Sequence, residues 1–248
     1  MLARPRPPRY PWWMRVRCGT SGFGYLSWRG SFYPQEARSG DLLRLYGERF
    51  STVEINNTFY RMPGAALLAG WRGQVPAAFT FALKGPQAIT HRKRLKEAQQ
   101  ETAHFHEVAR ALGPQLGPVL WQLPPNLKKD LPRLQAFLAL LPPGARAAFE
   151  FRHPTWQDDE VHAALRERGA ALVVAHTEEG ETPLVATAGF GYLRLRAPGY
   201  EPAELRAWAE RILAQPWEEA FVFLKHEEEG TGPRLATALR EVLGSAGE

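Results

Sequence analysis

Short apolar runs alternate along the chain with longer segments in which apolar residues recur three and four positions apart. The short runs predict eight β-strands, at residues 15–20, 52–56, 79–84, 118–122, 147–152, 170–175, 191–196 and 220–225. The longer segments predict seven helices, at residues 41–49, 65–73, 96–112, 131–141, 158–168, 202–213 and 233–243. The sixth strand is the exception, because segment 177–188 follows it where a helix would be expected.

Strands that alternate with helices pair in parallel by crossovers, and eight such units of about 30 residues form a (β/α)8 barrel. We therefore predict a single TIM-type α/β barrel over residues 14–248, with the helix after strand six missing or replaced by a loop. Residues 1–13, rich in proline and arginine, are predicted to be an N-terminal extension. The alternative fold is a doubly wound open sheet. That fold usually carries a glycine-rich phosphate loop after an early strand, and segment 19–24 resembles one only loosely.

Composition narrows the kind of partner and the kind of site. The chain has 248 residues, a net charge of +5 and one cysteine, Cys18. A single cysteine excludes an internal disulfide framework and every multi-cysteine metal motif, and its apolar surroundings predict a packed thiol. The positive charge favours anionic partners. Neither a signal-peptide pattern nor a run long enough to cross a membrane occurs, so we expect a cytoplasmic protein with no membrane partner, of unspecified oligomeric state.

The segment Phe-Glu-Phe-Arg-His-Pro-Thr-Trp, residues 149–156, carries the clearest candidate chemistry. Side chains alternate faces along a strand, so Phe149 and Phe151 point one way while Glu150 and Arg152 point the other. A carboxylate and a guanidinium therefore share one face at the carboxyl end of a strand. This arrangement is typical of a polar pocket wall, and equally of a buried structural ion pair.

The same alternation places polar side chains at the ends of four other strands. In a TIM barrel the carboxyl ends of the strands form the active-site face. We expect a polar mouth there, with Glu54 and Glu150 each within hydrogen-bond reach of Lys84, Arg152 or Arg194. The strand-end cations outnumber the carboxylates, which leaves positive charge for an anion, predicted near Arg194, Arg196 and Lys225. The further strand-end groups on this face are Asn56, Gln122 and Tyr192.

Several motifs, taken together and in chain order, resemble the YecE-like family, domain of unknown function seventy-two. They are GTSGFGY at 19–25, WRGSFYP at 28–34, VEINNTFY at 53–60, FALKGP at 81–86 with ITH at 89–91, GPVLWQLPP at 117–125, EFRHPTW at 150–156 and YLRLR at 192–196. The resemblance implies a single TIM-type barrel and brings no assigned reaction. After the last strand the family tends to carry Phe-Asn-Asn, where this chain has Leu224, Lys225 and His226.

These patterns predict an enzyme, possible classes being a hydrolase or an isomerase, acting on a phosphorylated or otherwise anionic substrate. The predicted catalytic residues are Glu150, Glu54 and His153. The predicted substrate-binding residues are Lys84, Arg152, Arg194, Arg196, Asn56, Gln122, His91, Trp156, Tyr25 and Lys225. The alternative is a non-catalytic module that binds nucleic acid or a metabolite through the same mouth, extended by the basic run at 92–96. A purely structural barrel is the third hypothesis.

A metal site is a further option for the same strand ends. Four histidines lie at or just past strand ends and could join Glu54 and Glu150 around a divalent ion. They are His91, His153, His176 and His226. None of these four histidines stands in H-x-H or H-E-x-x-H spacing, so no metal ligand is assigned.

Overall fold

The computed structural model describes residues 14–61, 63–225 and 228–247. The predicted extension at residues 1–13 and the strand-end histidine His226 lie outside the described residues. The strands are β1 Arg15–Thr20, β2 Thr52–Ile55, β3 Thr80–Lys84, β4 Leu116–Gln122, β5 Ala147–Glu150, β6 Ala171–Thr177, β7 Gly180–Glu181, β8 Phe190–Leu195 and β9 Glu219–Leu224. The helices are α1 Leu42–Gly47, α2 Asn57–Tyr60, α3 Ala65–Arg72, α4 Gln99–Ala109, α5 Leu131–Leu140, α6 Asp159–Arg168, α7 Pro202–Leu213 and α8 Thr231–Gly247.

The sheet is mostly parallel and nearly closed, in the order β1-β9-β8-β6-β5-β4-β3-β2. Helices lie between successive strands, so the predicted TIM-type barrel is confirmed. The short strand β7 is outside this order and pairs antiparallel with β6, from His176 opposite Glu181 to Thr177 opposite Gly180. A hairpin and an irregular segment therefore stand where a helix would follow the sixth barrel strand.

The barrel closes between β1 and β2, where the sheet order begins and ends. A single parallel bridge joins Ser21 to Glu54, and the backbone N–H of Gly22 donates to the Glu54 carbonyl at 2.8 Å. Below this bridge the phenol of Tyr46 accepts from the Thr20 N–H at 2.8 Å and contacts the Thr52 carbonyl at 3.0 Å. The hydroxyl of Tyr46 thus replaces a backbone hydrogen bond that the two strands do not make with each other.

Close approach of the two strands at this seam requires glycine at position 19. A Cβ added to Gly19 would lie 2.2 Å from the Thr52 carbonyl oxygen, well inside van der Waals contact. The neighbouring Cys18 points into the outer core, and burial raises the pKa of its thiol to about 12. The prediction of a packed, unreactive thiol agrees with this environment.

Two apolar layers flank the strands. The larger layer packs between the sheet and the helices and holds Phe149, Phe151 and Trp156, as the alternation predicted for the two phenylalanines. The smaller layer fills the barrel itself. It consists of Ala82, Leu120, Ala148, Ala171, Val173, Phe190, Tyr192, Phe221 and Phe223.

An ionic cluster closes the amino-terminal end of the barrel below the inner layer. Glu219 accepts from Arg17 Nε at 2.5 Å and from Arg146 Nη1 at 2.7 Å, and the Arg146 guanidinium lies over the Phe221 ring. With this end closed and the inner layer above it, access to the interior is from the carboxyl ends of the strands. No helix among the described residues is long and apolar enough to cross a membrane.

The helix predicted at residues 96–112 is shorter in the structure. It begins at Gln99, because Arg94, Leu95 and Glu97 adopt positive φ angles that interrupt a regular helix. It ends at Ala109 and continues as a 3-10 segment in which Gly113 is not helical. A π-helical turn, Ala88–Arg92, precedes the strained residues and carries His91 above the end of β3.

Candidate functional site

Arg194 lies at the centre of a buried polar network in the barrel. It is placed by β8, where Tyr192 and Arg194 point inward. Its Nη1 donates to Glu150 Oε2 at 2.5 Å and its Nη2 to Glu54 Oε1 at 2.8 Å. The three side chains are at most 3 % exposed. One guanidinium is therefore shared by two almost completely buried carboxylates, from strands β2 and β5.

The Glu54 carboxylate is surrounded by hydrogen-bond donors. Its Oε2 accepts from the Tyr192 hydroxyl at 2.7 Å, and its Oε1 accepts from the Ser21 hydroxyl at 2.7 Å and from Asn56 Nδ2 at 3.3 Å. Burial alone would raise the pKa of Glu54, but Arg194 and these donors outweigh burial and lower it. Glu54 is thus held as a carboxylate.

Glu150 has a similar environment that reaches the surface on one side. Its Oε1 accepts from Gln122 Nε2 at 2.7 Å and from Arg152 Nε at 3.2 Å. Burial would raise the pKa of Glu150, yet the nearby charges of Arg194 and Arg152 lower it to about 2. Glu150 is therefore ionised at neutral pH.

Lys84, at the end of β3, is connected to this network through Gln122. Its ammonium donates to Gln122 Oε1 at 2.8 Å and lies 4.1 Å from the centroid of the Phe59 ring. Partial burial, together with the positive charge of Arg194, lowers the pKa of Lys84 to about 8. A large fraction of Lys84 is therefore neutral in mildly alkaline solution.

His91 packs against the same phenylalanine. The imidazole meets the Phe59 ring edge to face with centroids 4.9 Å apart, and its Nδ1 lies 2.9 Å from the Thr90 hydroxyl. Burial and the charges of Lys84 and Arg152 lower the pKa of His91. Phe59 thus contacts both Lys84 and His91, two groups whose pKa values are lowered by their surroundings.

A cleft of about 670 Å³ opens beside the network at the carboxyl ends of β5 and β6. Glu150, Arg152, His153 and Arg196 form one side of it, and segment 177–183 around β7 forms the other. That second side carries three acidic residues, of which Glu181 is paired with Arg211. The remaining two are Glu178 and Glu179. Positive charge in the cleft is therefore confined to the side that Arg152 and Arg196 form.

Five side chains were predicted to converge on one cavity: Glu54, Lys84, Glu150, Arg152 and Arg194. They belong to one hydrogen-bonded network, in which Gln122 stands between Lys84 and Glu150. Of the five, Glu150 and Arg152 line the cleft. Asn56 and Gln122 belong to the same network, His91 lies at its edge, and the Arg196 guanidinium is 3.9 Å from Glu150. The catalytic and binding roles given to these residues remain predictions.

Two of the predicted substrate-binding residues are almost completely buried. Arg194 is 2 % exposed, with both terminal nitrogens bonded to carboxylates, so it anchors the network. Trp156 is fully buried; it stacks on Phe151 and donates its indole N–H to the Leu127 carbonyl at 2.6 Å. Side-chain alternation predicts which face of a strand a residue occupies, and a motif predicts which segment belongs to the site. Neither predicts how deeply a side chain is buried.

The other predicted residues lie around the mouth. Tyr25 reaches back over Gly22 to donate to the Ser21 carbonyl at 3.1 Å, next to the Glu54 cluster. His153 lines the cleft and caps the 3-10 turn Pro154–Trp156, accepting from the Thr155 N–H at 3.2 Å. Lys225 follows β9, and its backbone N–H donates to Leu195 at 3.2 Å.

The strand-end histidines that the structure describes do not gather into a metal site. His176 is held by the Tyr200 hydroxyl at 2.9 Å and packs on Trp208, away from Glu54 and Glu150. Across the described part of the chain, no three His, Cys, Asp or Glu side chains are placed to hold a metal ion together.

Sequence reasoning missed several groups that shape the site. Ser21 holds Glu54, Phe59 carries Lys84 and His91, and the acidic residues around β7 form the far wall of the cleft. Ser21 lies one residue beyond a predicted strand, and Phe59 falls in a family motif, so both had a local signal. No local signal in the sequence indicated that the β7 segment approaches the loop after β5.

A model of the family described as protein of unknown function DUF72 matches residues 17–248. The chain belongs to this family. It is 30 % identical to the UPF0759 protein YecE of Escherichia coli strains K12 and O157:H7 over 149 residues, which cover 57 % of this chain and 55 % of each relative. The match thus spans about half the length of these curated relatives.

Solved structures of DUF72 proteins share the barrel. A family member from Thermotoga maritima superposes with a TM-score of 0.82 at 26 % identity, over 93 % of this chain and 99 % of that one. One from Enterococcus faecalis gives a TM-score of 0.77 at 18 % identity, over 92 % and 95 % of the two chains, a likeness of fold alone. The names of these relatives state no activity.

Proposed function

We propose that this DUF72 protein is an enzyme that acts on a phosphorylated or otherwise anionic substrate bound at the carboxyl ends of the barrel strands. The anionic group of the substrate binds to Arg196 and Arg152, on the side of the cleft that also presents Glu150 and His153. Reaction of this substrate takes place at the mouth, above the buried Glu54–Arg194–Glu150 network. A hydrolase or an isomerase fits such a site.

The observation that carries the proposal is the incomplete neutralisation of Arg196. Among the described residues, the carboxylate nearest to its guanidinium is Glu150 at 3.9 Å, which already accepts from Arg194, Arg152 and Gln122. Burial and the charge of Arg194 lower the pKa of Arg196, so its cation is poorly compensated there. A partly buried cation that lines a cleft without a close counter-ion favours an anionic ligand.

Within the proposal the two buried carboxylates are positioning residues. Glu54 and Glu150 stay ionised and hold Arg194, and Glu150 also fixes the position of Lys84 through Gln122. Of the groups predicted to be catalytic, His153 is the one that lines the cleft with an imidazole able to give or take a proton. Lys84 and His91 offer further proton exchange at the mouth.

The test measures anion binding first. Isothermal titration calorimetry with inorganic phosphate and pyrophosphate should show binding to the wild type, weakened about tenfold or more in Arg196→Gln, since a charge-assisted hydrogen bond contributes about 1.5–3 kcal/mol. Arg206→Gln is the matched control, because Arg206 is an exposed arginine of α7, and it should bind like the wild type. Equal affinity in Arg196→Gln and wild type would refute the anion site.

The second part of the test separates an enzyme from a binding module. Phosphorus NMR of wild type with sugar phosphates, nucleotides and phosphate monoesters should reveal a conversion that Arg196→Gln slows. The non-catalytic alternative rests on Arg92, Arg94 and Lys96, which are exposed beside His91. Tight binding of a single-stranded oligonucleotide, lost when these three become glutamine and unaffected by Arg196→Gln, would favour that alternative over the enzyme.

A further inference from the structure

Lys84 has an environment unlike that of an ordinary surface lysine. Its side chain is partly buried at the carboxyl end of β3, with the ammonium 4.1 Å from the Phe59 centroid. Its hydrogen bond goes to a neutral amide oxygen of Gln122 at 2.8 Å, and no salt bridge within 4.0 Å joins it to a carboxylate of the described residues. The cation is therefore partly desolvated without the ion pair that would normally offset the loss of water.

Gln122 is fixed in the orientation that Lys84 needs. Its Nε2 donates to Glu150 Oε1 at 2.7 Å, so its Oε1 must face the lysine. Gln122 itself is 3 % exposed. Because the amide oxygen accepts from an ammonium and from a neutral amine alike, it holds the lysine nitrogen in place in both protonation states.

We propose that Lys84 is a nucleophilic amine that forms an imine with the carbonyl group of an anionic aldehyde or ketone substrate. The assignment rests on the proposed function for the anionic part of the ligand, which binds to Arg196 and Arg152. It names the substrate class more closely, as a carbonyl compound that bears a phosphate or a similar anion. The lowered pKa of Lys84, about 8, supports the assignment, since only the neutral amine attacks a carbonyl carbon.

The step balances without an oxidant or a reductant. The lone pair of Lys84 Nζ forms a bond to the carbonyl carbon, the carbonyl π bond opens onto oxygen, and one proton moves from nitrogen to that oxygen to give a carbinolamine. The nitrogen lone pair then expels the hydroxyl group, which leaves as water with the second amine proton, carried from nitrogen to oxygen as the first one was. A C=N bond replaces the C=O bond, and water later reverses the sequence to release the amine.

His91 is placed to carry the proton in this step. It shares the Phe59 ring with Lys84, and its Nδ1 is held by the Thr90 hydroxyl, which contacts the Pro86 carbonyl at 3.3 Å. A hydroxyl has one proton, so a Thr90 that donates to Pro86 must accept from His91 Nδ1–H. The lone pair of Nε2 is then the one that takes and returns the proton.

The experiment uses pyridoxal 5′-phosphate, an aldehyde that carries a phosphate, as a probe of the full-length protein at pH 7.5. After reduction with borohydride, peptide mass mapping should find the adduct at Lys84 at least tenfold ahead of Lys96 and Lys128, which are exposed and serve as internal controls. Inorganic phosphate should slow labelling of Lys84 and leave the controls unchanged. Lys84→Arg should remove the fast adduct.

The outcomes distinguish this inference from the proposed function. Labelling of Lys84 no faster than that of Lys96, in protein whose phosphate binding depends on Arg196, would overturn the imine and leave the anion site standing. Fast labelling of Lys84 that is equal for pyridoxal without phosphate, and unchanged in Arg196→Gln, would uphold the reactive amine and refute the anion site. Fast labelling that requires both the phosphate and Arg196 supports the two together.

Discussion

Replacement of Arg194 by methionine tests the buried network most directly. Methionine has a similar length and no charge, so Arg194→Met leaves Glu54 and Glu150 buried without their shared cation. Removal of one partner of a buried ion pair costs about 3–5 kcal/mol. Here a single change removes the ion pair of Glu54 and the shorter of the two close ion pairs of Glu150, so we expect a loss of about 5 kcal/mol. At about 2–4 °C for each kcal/mol in a protein of this size, the melting temperature should fall by roughly 10–20 °C.

The pH dependence of this variant should have the opposite sign to that of the wild type. The pKa of Glu150 is lowered from 4.5 to about 2 in the folded protein, so its contribution is complete above pH 4.5 and is lost as the pH falls toward 2. Without Arg194, burial should raise the pKa of both carboxylates above their unfolded values. Stability from these groups is then present at acid pH and is lost as the pH rises, so the difference between variant and wild type should widen from pH 4 to pH 8.

The assay is thermal and urea denaturation followed by circular dichroism across this pH range. Arg44→Met, which breaks the exposed pair with Glu48, is the matched control and should cost less than about 1 kcal/mol. Adding Glu54→Gln and Glu150→Gln to Arg194→Met should recover at least half of the loss at pH 7. An Arg194→Met protein that melts within 3 °C of the wild type, with the same pH dependence, would refute this account of the network.

Three further predictions follow from neighbouring groups. Glu150→Gln should lower the free energy of unfolding in urea by about 3 kcal/mol, because the pKa of Glu150 is lowered from 4.5 to about 2 in the folded protein. Adding Arg152→Met should recover little of this loss, since the Arg152 side chain is 36 % exposed and water can solvate it. Full recovery would make Arg152 the main partner of Glu150. Tyr46→Phe removes the hydroxyl that bridges β1 and β2 and should lower the free energy of unfolding by about 1–3 kcal/mol in the same assay. The control Tyr33→Phe loses one hydrogen bond and should cost less, so equal losses would contradict the bridging role of Tyr46. The rate of imine formation at Lys84 should rise with pH through a midpoint near 8, and a midpoint near 10.5 would show an unperturbed amine.

The sequence predicted the polar face of the barrel well because side-chain alternation is a local property. Once Phe149 and Phe151 are assigned to the outer core, Glu150 must point into the barrel, and the same reasoning places Glu54, Lys84 and Arg194. The eight barrel strands and the missing helix after the sixth were predictable for the same reason. Each depends on periodicity within a few residues and on parallel connection.

Depth within the barrel could not be predicted in this way. Arg194 lies on β8 and Arg196 follows directly after its end, two residues further on. Arg194 is fully buried between two carboxylates, whereas Arg196 lines the cleft. The difference depends on the stagger between neighbouring strands, which decides how far each strand end lies above the inner layer. The sequence alone does not give the strand register that sets this depth. Arg194 and Arg196 were therefore predicted alike to bind an anion, although of the two only Arg196 lines the cleft.

The partner of each charge was equally beyond reach of the sequence. Arg152 is two residues from Glu150 and was the natural choice of counter-ion, but Arg194, on a strand far along the chain, approaches it more closely, at 2.5 Å against 3.2 Å. The acidic wall near Glu178 and Glu179 likewise meets the β5 loop only because the hairpin of β7 folds over from β6. Contacts of this kind are set by how the barrel closes.

Closure of the barrel and construction of the site depend on the same residue. The Glu54 carbonyl accepts from Gly22 at the seam, while the Glu54 carboxylate accepts from Ser21 and holds Arg194. The seam between β1 and β2 has few backbone hydrogen bonds, because one parallel bridge and the Tyr46 hydroxyl join the two strands. The Glu54 side chain anchors the interior network across this seam, so it also stabilises closure of the barrel between β1 and β2.

Ser21→Ala should therefore lower the melting temperature and also weaken phosphate binding, although Ser21 does not line the cleft. Normal phosphate binding in a destabilised Ser21→Ala protein would show that the seam and the site are independent.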